Sequence, residues 1–136
     1  MAIKDLRESQ TMAHLLEALD QGQDIGHYGR LVFAMAARYF LDEDEVVREL
    51  VKDPDFSEED ARGLCLQVQG RDYSPPKRDR ILEWQKQQDF EICPNPDDPD
   101  AGNLYQELKF PDEVYDRISE YYEEKATAGA DGGRGQ

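Results

Sequence analysis

Apolar residues along the chain recur mostly at helical spacing, in blocks separated by caps and breakers. Ser9 or Thr11 can cap a helix running through "MAHLLEALDQ" to a stop at Gly22. In it Leu15, Leu16 and Leu19 fall on one stripe, as a 3.6-residue period requires. "GHYGRLVFAMAARYF" follows and is apolar on most sides after Arg30, which predicts a central, buried helix. In "LDEDEVVRELVKD", Asp42 with Glu45 reads as a capping box, Val46, Val47, Leu50 and Val51 as the buried stripe, and Pro54 as the end. "DFSEEDARGLCLQVQG" repeats the device with Ser57 and Asp60 and stops near Gly70. In "DYSPPKRDRILEWQKQQ" two prolines sit where a helix begins, and Ile81, Leu82 and Trp84 supply its apolar side.

After Gln88 the texture changes. "DFEICPNPDDPDAGN" holds three prolines and predicts a loop. "FPDEVYDRISEYYEEK" restarts a helix, with acids at the positive end of its dipole and Val114, Tyr115, Ile118 and Tyr122 on one face. Extended structure has weak support, in "CLQVQ" and "FEIC" alone. The fold class is mainly α: a compact multi-helix domain over residues 1–125, with 126–136 as a flexible tail.

The chain has 136 residues and a formal charge of −15. No run of apolar residues is long enough to span a membrane, the first ten residues lack a signal-peptide core, and two cysteines make no disulfide framework. These features predict a cytoplasmic chain with no membrane partner. The acidic balance opposes unspecific nucleic-acid binding and suits salt adaptation or a basic protein partner.

The charge is uneven. Residues 26–40 carry two basic groups and no acid, and residues 71–88 carry five basic and three acidic groups; every other segment is acid-rich. His27 and Arg30, three apart on a helix, share a face. With Gly26 and Gly29 beside them, an arginine fork, a histidine and free amides at a helix start form a candidate phosphate seat, to which Tyr28 and Tyr73 could add stacking faces. The alternative is that Arg30 and Arg38 pair with the many nearby carboxylates.

Four stretches add a further clue: "TMAHLLEALDQGQDIGHYGR", "LVFAMAARYFLDEDEVVRELVKDPDF", "DYSPPKR" and "ICPNP", in that order over roughly residues 9–95. The set resembles the C-terminal domain of the large subunit of archaeal and eukaryotic DNA primase. That resemblance implies a helical, non-catalytic domain that holds an initiating nucleotide or primer 5′-triphosphate, and the template strand, for a partner primase-polymerase catalytic subunit. It implies that Arg30 bridges phosphate oxygens, His27 donates to the same group, Arg38 reaches the strand, and Tyr73 stacks or hydrogen-bonds. Lys77 and Arg78 join them as candidates from the basic segment. DNA, RNA primer-template ends and free nucleotide triphosphate all fit as ligands.

The family also implies a [4Fe–4S] cluster on four cysteines. Here its first cysteine falls near Thr11, its second near Lys77 or Arg78, and its third on Cys93; the fourth has no candidate. Cys65, in an apolar helix, reads as a small core residue. Two thiols do not hold such a cluster, so no cofactor is expected. The family's N-terminal half, which docks on the small subunit, has no counterpart in this sequence, and a partner would be met by another surface. His14, His27, Cys65 and Cys93 lack zinc-site spacing, and Asp97, Asp98 and Asp100 lack the spacing of a calcium loop. The alternative functional reading is an acidic helical protein-interaction module with no nucleic-acid role.

Overall fold

Most of the longer helices start where a side chain replaces the missing backbone acceptor. The computed structural model describes residues 3–98 and 103–116. Ser9 Oγ accepts from Met12 N at 3.2 Å and opens α2 (Gln10–Asp20), after a single turn, α1 (Ile3–Leu6). Asp42 and Glu45 form a reciprocal capping box on α4 (Glu43–Leu50), and Ser57 and Asp60 do the same on α5 (Glu58–Gly70). Between α2 and α4 runs α3 (Gly26–Ala37). The remaining helices are α6 (Arg78–Gln85), the one-turn α7 (Leu104–Glu107), and a helical segment over 112–116. Among the described residues there is no strand.

The architecture is a bundle around α3, which touches α2, α4, α5 and α6. Val32 through Ala37 are all buried, and the alanines at 34, 36 and 37 let neighbouring helices approach closely. Leu15, Leu16 and Leu19 of α2, Val46, Val47 and Leu50 of α4, Ala61, Leu64, Cys65 and Val68 of α5, and Ile81 of α6 complete the core. Beyond α3, Phe110 seats an aromatic cluster with Tyr39, Phe40, Tyr105 and Tyr115, ring centroids 5.5–6.4 Å away. Tyr105 donates its hydroxyl to Pro75 O, which with the Phe110 contacts ties the 103–116 segment to the bundle, while Tyr115 donates to Leu108 O within it. Among the described residues, no helix is long and apolar enough to cross a membrane.

Several expectations need correction. Val51 lies past the end of α4 and is 38% exposed, whereas Asp53, two residues on, is wholly buried. "CLQVQ" is part of α5 and "FEIC" is irregular, so neither is extended strand. The stop read near Gly70 holds, since α5 ends there, but the left-handed residue that follows is Asp72, φ 51°; Gly22 has φ 72° just past α2. Ile118, Tyr122 and the tail 126–136 lie outside the described residues.

Candidate nucleic-acid interface

The start of α3 is already occupied by the protein's own side chains. Gly26 N donates to Asp24 Oδ1 at 2.8 Å, Ile25 N to Asp53 Oδ2 at 3.0 Å, and Tyr28 N to Gln88 Oε1 at 2.9 Å. The Gln88 amide in turn donates to Ile25 O and Phe90 O. Gly26 has φ 78°, which favours glycine, and a Cβ there would meet the Gln88 carboxamide at 2.5 Å and push it off its hydrogen bonds. The amides expected to face a phosphate face internal acceptors.

Arg30 points inward. Its Nη1 donates to Asp53 Oδ2 at 2.8 Å and to Asp24 Oδ1 at 3.3 Å, and its guanidinium lies 4.4 Å from the centre of the Phe56 ring. Asp53 is fully buried and accepts a third bond, from Asp55 N at 2.8 Å. One carboxylate thus ties the α2–α3 turn, α3 and the α4–α5 turn together. A charge buried this deeply persists only when paired and hydrogen-bonded. Arg38 is similarly committed. Its Nη2 donates to Asp72 Oδ1 at 2.8 Å, to Tyr73 O at 2.9 Å and to the Tyr39 hydroxyl at 2.6 Å. In this structure both guanidiniums expected to meet phosphate or strand are thus paired with carboxylates of the same chain.

The six candidates also fall in three places. His27 and Arg30 stand at the start of α3, and Arg38 lies eight residues on, about 12 Å along the axis. Tyr73 is partly buried beside Arg38, held there by its backbone carbonyl. Lys77 is the N-cap of α6, and Arg78 Nη2 donates to Pro96 O at 2.7 Å and Asp98 O at 3.1 Å. Of the six, His27 alone is exposed. The cleft beside Arg38, lined by Glu43, Cys65, Val68 and Gln69 among others, has about 10 Å³ of room, enough for one water and far too little for a triphosphate.

Three segments that the sequence keeps apart do converge. Asn95 Nδ2 donates to Gln10 Oε1 at 2.9 Å, next to Cys93 and Thr11, while Arg78 holds the same loop from the start of α6. Thr11 and Cys93 are both fully buried, and Thr11 Oγ1 has no hydrogen-bond partner. Among the described residues, no three His, Cys, Asp or Glu side chains group closely enough to share a metal ion. Burial pushes the Cys65 thiol up to about 11, with the Glu43 charge adding to it, so this cysteine is no nucleophile.

The surface chemistry that sequence reading missed lies between α3 and α6. Tyr28 and Trp84 stack at 5.3 Å with 18° between their planes. The signal was present, since Trp84 sits in the basic segment and Tyr28 in the acid-free one, but Trp84 reads as core on periodicity alone. No family model matches the chain, and no curated protein or solved structure is significantly similar to it.

Proposed function

We propose that the chain is a non-catalytic helical protein-interaction module whose acidic surface meets a basic partner. One observation carries this reading: the arginines of the acid-free helix are paired with carboxylates of the same chain, while the acids that open α4 and α5 point outward. Glu43 and Asp44 of α4, its N-cap Asp42, and Glu58, Glu59 and Asp60 of α5 are all exposed, at the starts of the two helices. Their placement at positive dipole ends makes a dense acidic face stable as well as soluble. Arg62 bridges Glu43, Asp44 and Glu58 at 3.0–3.1 Å and fixes the two turns relative to each other. Such a face attracts a basic surface at long range and loses that attraction as salt is raised. The test is affinity capture from the host with wild-type protein and with Asp44→Lys plus Glu59→Lys. A basic protein retained by wild type alone, and released by salt, is the expected outcome; retention that ignores both changes would overturn it.

A second reading is favoured by the convergence of Gln10–Thr11, Arg78 and the Cys93–Asp98 loop. These are the positions at which a domain like the C-terminal domain of the primase large subunit would carry cluster cysteines, here replaced by hydrogen bonds and packing. On this reading the chain is a cluster-free accessory to a primase-polymerase, working through a surface other than Arg30 and Arg38. Recovery of the catalytic subunit of a primase-polymerase in the same capture selects it.

A further inference from the structure

The two segments that escape the acidic excess meet at the surface even though Arg30 and Arg38 of the first are paired within the chain. The Tyr28–Trp84 stack is flanked on one side by His27, whose ring sets against Tyr28 edge-on at 5.1 Å. On the other side the Arg80 guanidinium lies 5.7 Å from the centre of the Trp84 ring. The Tyr28 hydroxyl donates to Gln87 Oε1. His27 and Arg80 are exposed, and the two stacked rings are partly so. We propose that this row is a docking site for an extended peptide segment of a protein partner, one that carries a carboxylate beside a ring side chain.

Three observations point there. Tryptophan, tyrosine and arginine are the residues that most often anchor protein interfaces. The rings are also pre-ordered, because Tyr28 is held by its backbone bond to Gln88 and by the stack itself, so little freedom is lost on binding. Finally, Arg80 is only loosely paired. Arg30, Arg38 and Arg62 each hold a carboxylate at 2.8–3.1 Å, whereas Arg80 reaches Glu83 only at 3.9 Å, both side chains being well over half exposed. Its guanidinium fork can take a shorter, charge-assisted bond from outside.

Charge decides between a peptide and a nucleic-acid strand. Strand binding draws much of its affinity from Lys and Arg side chains that neutralise successive phosphates. This row offers the Arg80 guanidinium, against Asp79 and Glu83 on the same helix and a formal charge of −15. A single carboxylate matches that supply; a polyanion does not. The row is distinct from the acidic face of α4 and α5, so either can fail while the other stands.

Trp84 is the only tryptophan in the chain, so its emission reports on the row directly. Peptides selected from a random display library against the full chain should share an Asp or Glu next to Pro, Tyr, Phe or Trp, and should change Trp84 emission on binding. Affinity should fall about tenfold or more in Arg80→Ala and in Tyr28→Ala. Exchanging the peptide's acid for its amide should cost wild type the same factor and Arg80→Ala nothing further. Arg80 is exposed, and unchanged circular dichroism of that variant confirms the fold. Failure to enrich any peptide, selected peptides that bind both variants as tightly as wild type, or displacement of the peptide by a single-stranded oligothymidine would each overturn the proposal.

Discussion

Nη1 of Arg30 lies 2.8 Å from Oδ2 of Asp53, and the two side chains are only 10% and 0% exposed. Removing Arg30 leaves Asp53 charged in the interior without an ion-pair partner, and removing Asp53 leaves Arg30 only its longer contact to the exposed Asp24; breaking a buried pair in this way costs about 3–5 kcal/mol. Asp53→Ala should therefore lower unfolding stability in urea by that order, and more than Arg30→Met does, because Asp53 also accepts from Ile25 N and Asp55 N. A loss under about 1 kcal/mol for Asp53→Ala would mean that the pair does not hold the turns together.

Three glycine-to-alanine changes separate conformation from space. Gly26→Ala forces a left-handed φ and drives a methyl into Gln88, so it should cost more than the roughly 1–2 kcal/mol of the backbone alone. Gly22→Ala has the same backbone penalty with nothing within 4 Å, and should cost only that. Gly63→Ala, inside α5 with open space at Cβ, should stabilise by about 0.5–1 kcal/mol. Thermal or urea midpoints in the order Gly63→Ala, wild type, Gly22→Ala, Gly26→Ala check all three.

Both cysteines are buried, and Cys65 is held as a neutral thiol by its surroundings. In native protein neither should react with a thiol reagent near neutral pH, and both should react once the chain is unfolded. A fast-reacting thiol in the native state would contradict the placement of Cys65 against α4 or of Cys93 in its loop.

The Asp20–Lys52 pair gives a pH signature. The hydrogen bond from Lys52 holds the Asp20 carboxyl below its ordinary 3.8, and the bond to Asp20 raises the Lys52 ammonium above its ordinary 10.5. The lowered carboxyl stabilises the fold above 3.8, and that contribution disappears as pH falls through its folded value. The raised ammonium contributes below 10.5, and its share is lost as pH rises through its folded value. The stability gap between wild type and Lys52→Gln should be level between these limits, small because both groups are well solvated, and should close at either extreme. A gap that persists unchanged at both extremes would contradict the assignment.

The helices were legible because their signals are local. The Asp42–Glu45 and Ser57–Asp60 boxes and the stripe of α2 need only a few residues of context, and all appear as read. The one-turn α1 and α7 carry too little periodicity to be seen. The fate of Arg30 was not legible, since Asp53 looks like any acid before a helix-ending proline, and only tertiary folding brings it beneath α3. The apolar surround of Arg30 did hold a clue: an arginine on a helix buried nearly all round needs an internal counter-ion. Nothing local reveals that Gln88, sixty residues away from Tyr28, closes the start of α3.

The most direct test of the claim that the cations of α3 serve the fold rather than a ligand is a fluorescence-anisotropy titration of the full chain into duplexes ending in 5′-triphosphate or in 5′-hydroxyl. With Arg30 on Asp53 and Arg38 on Asp72, the two curves should coincide and show no steep salt dependence. Tighter binding to the triphosphate end, falling sharply as salt is raised, would mean that these guanidiniums leave their carboxylates for phosphate.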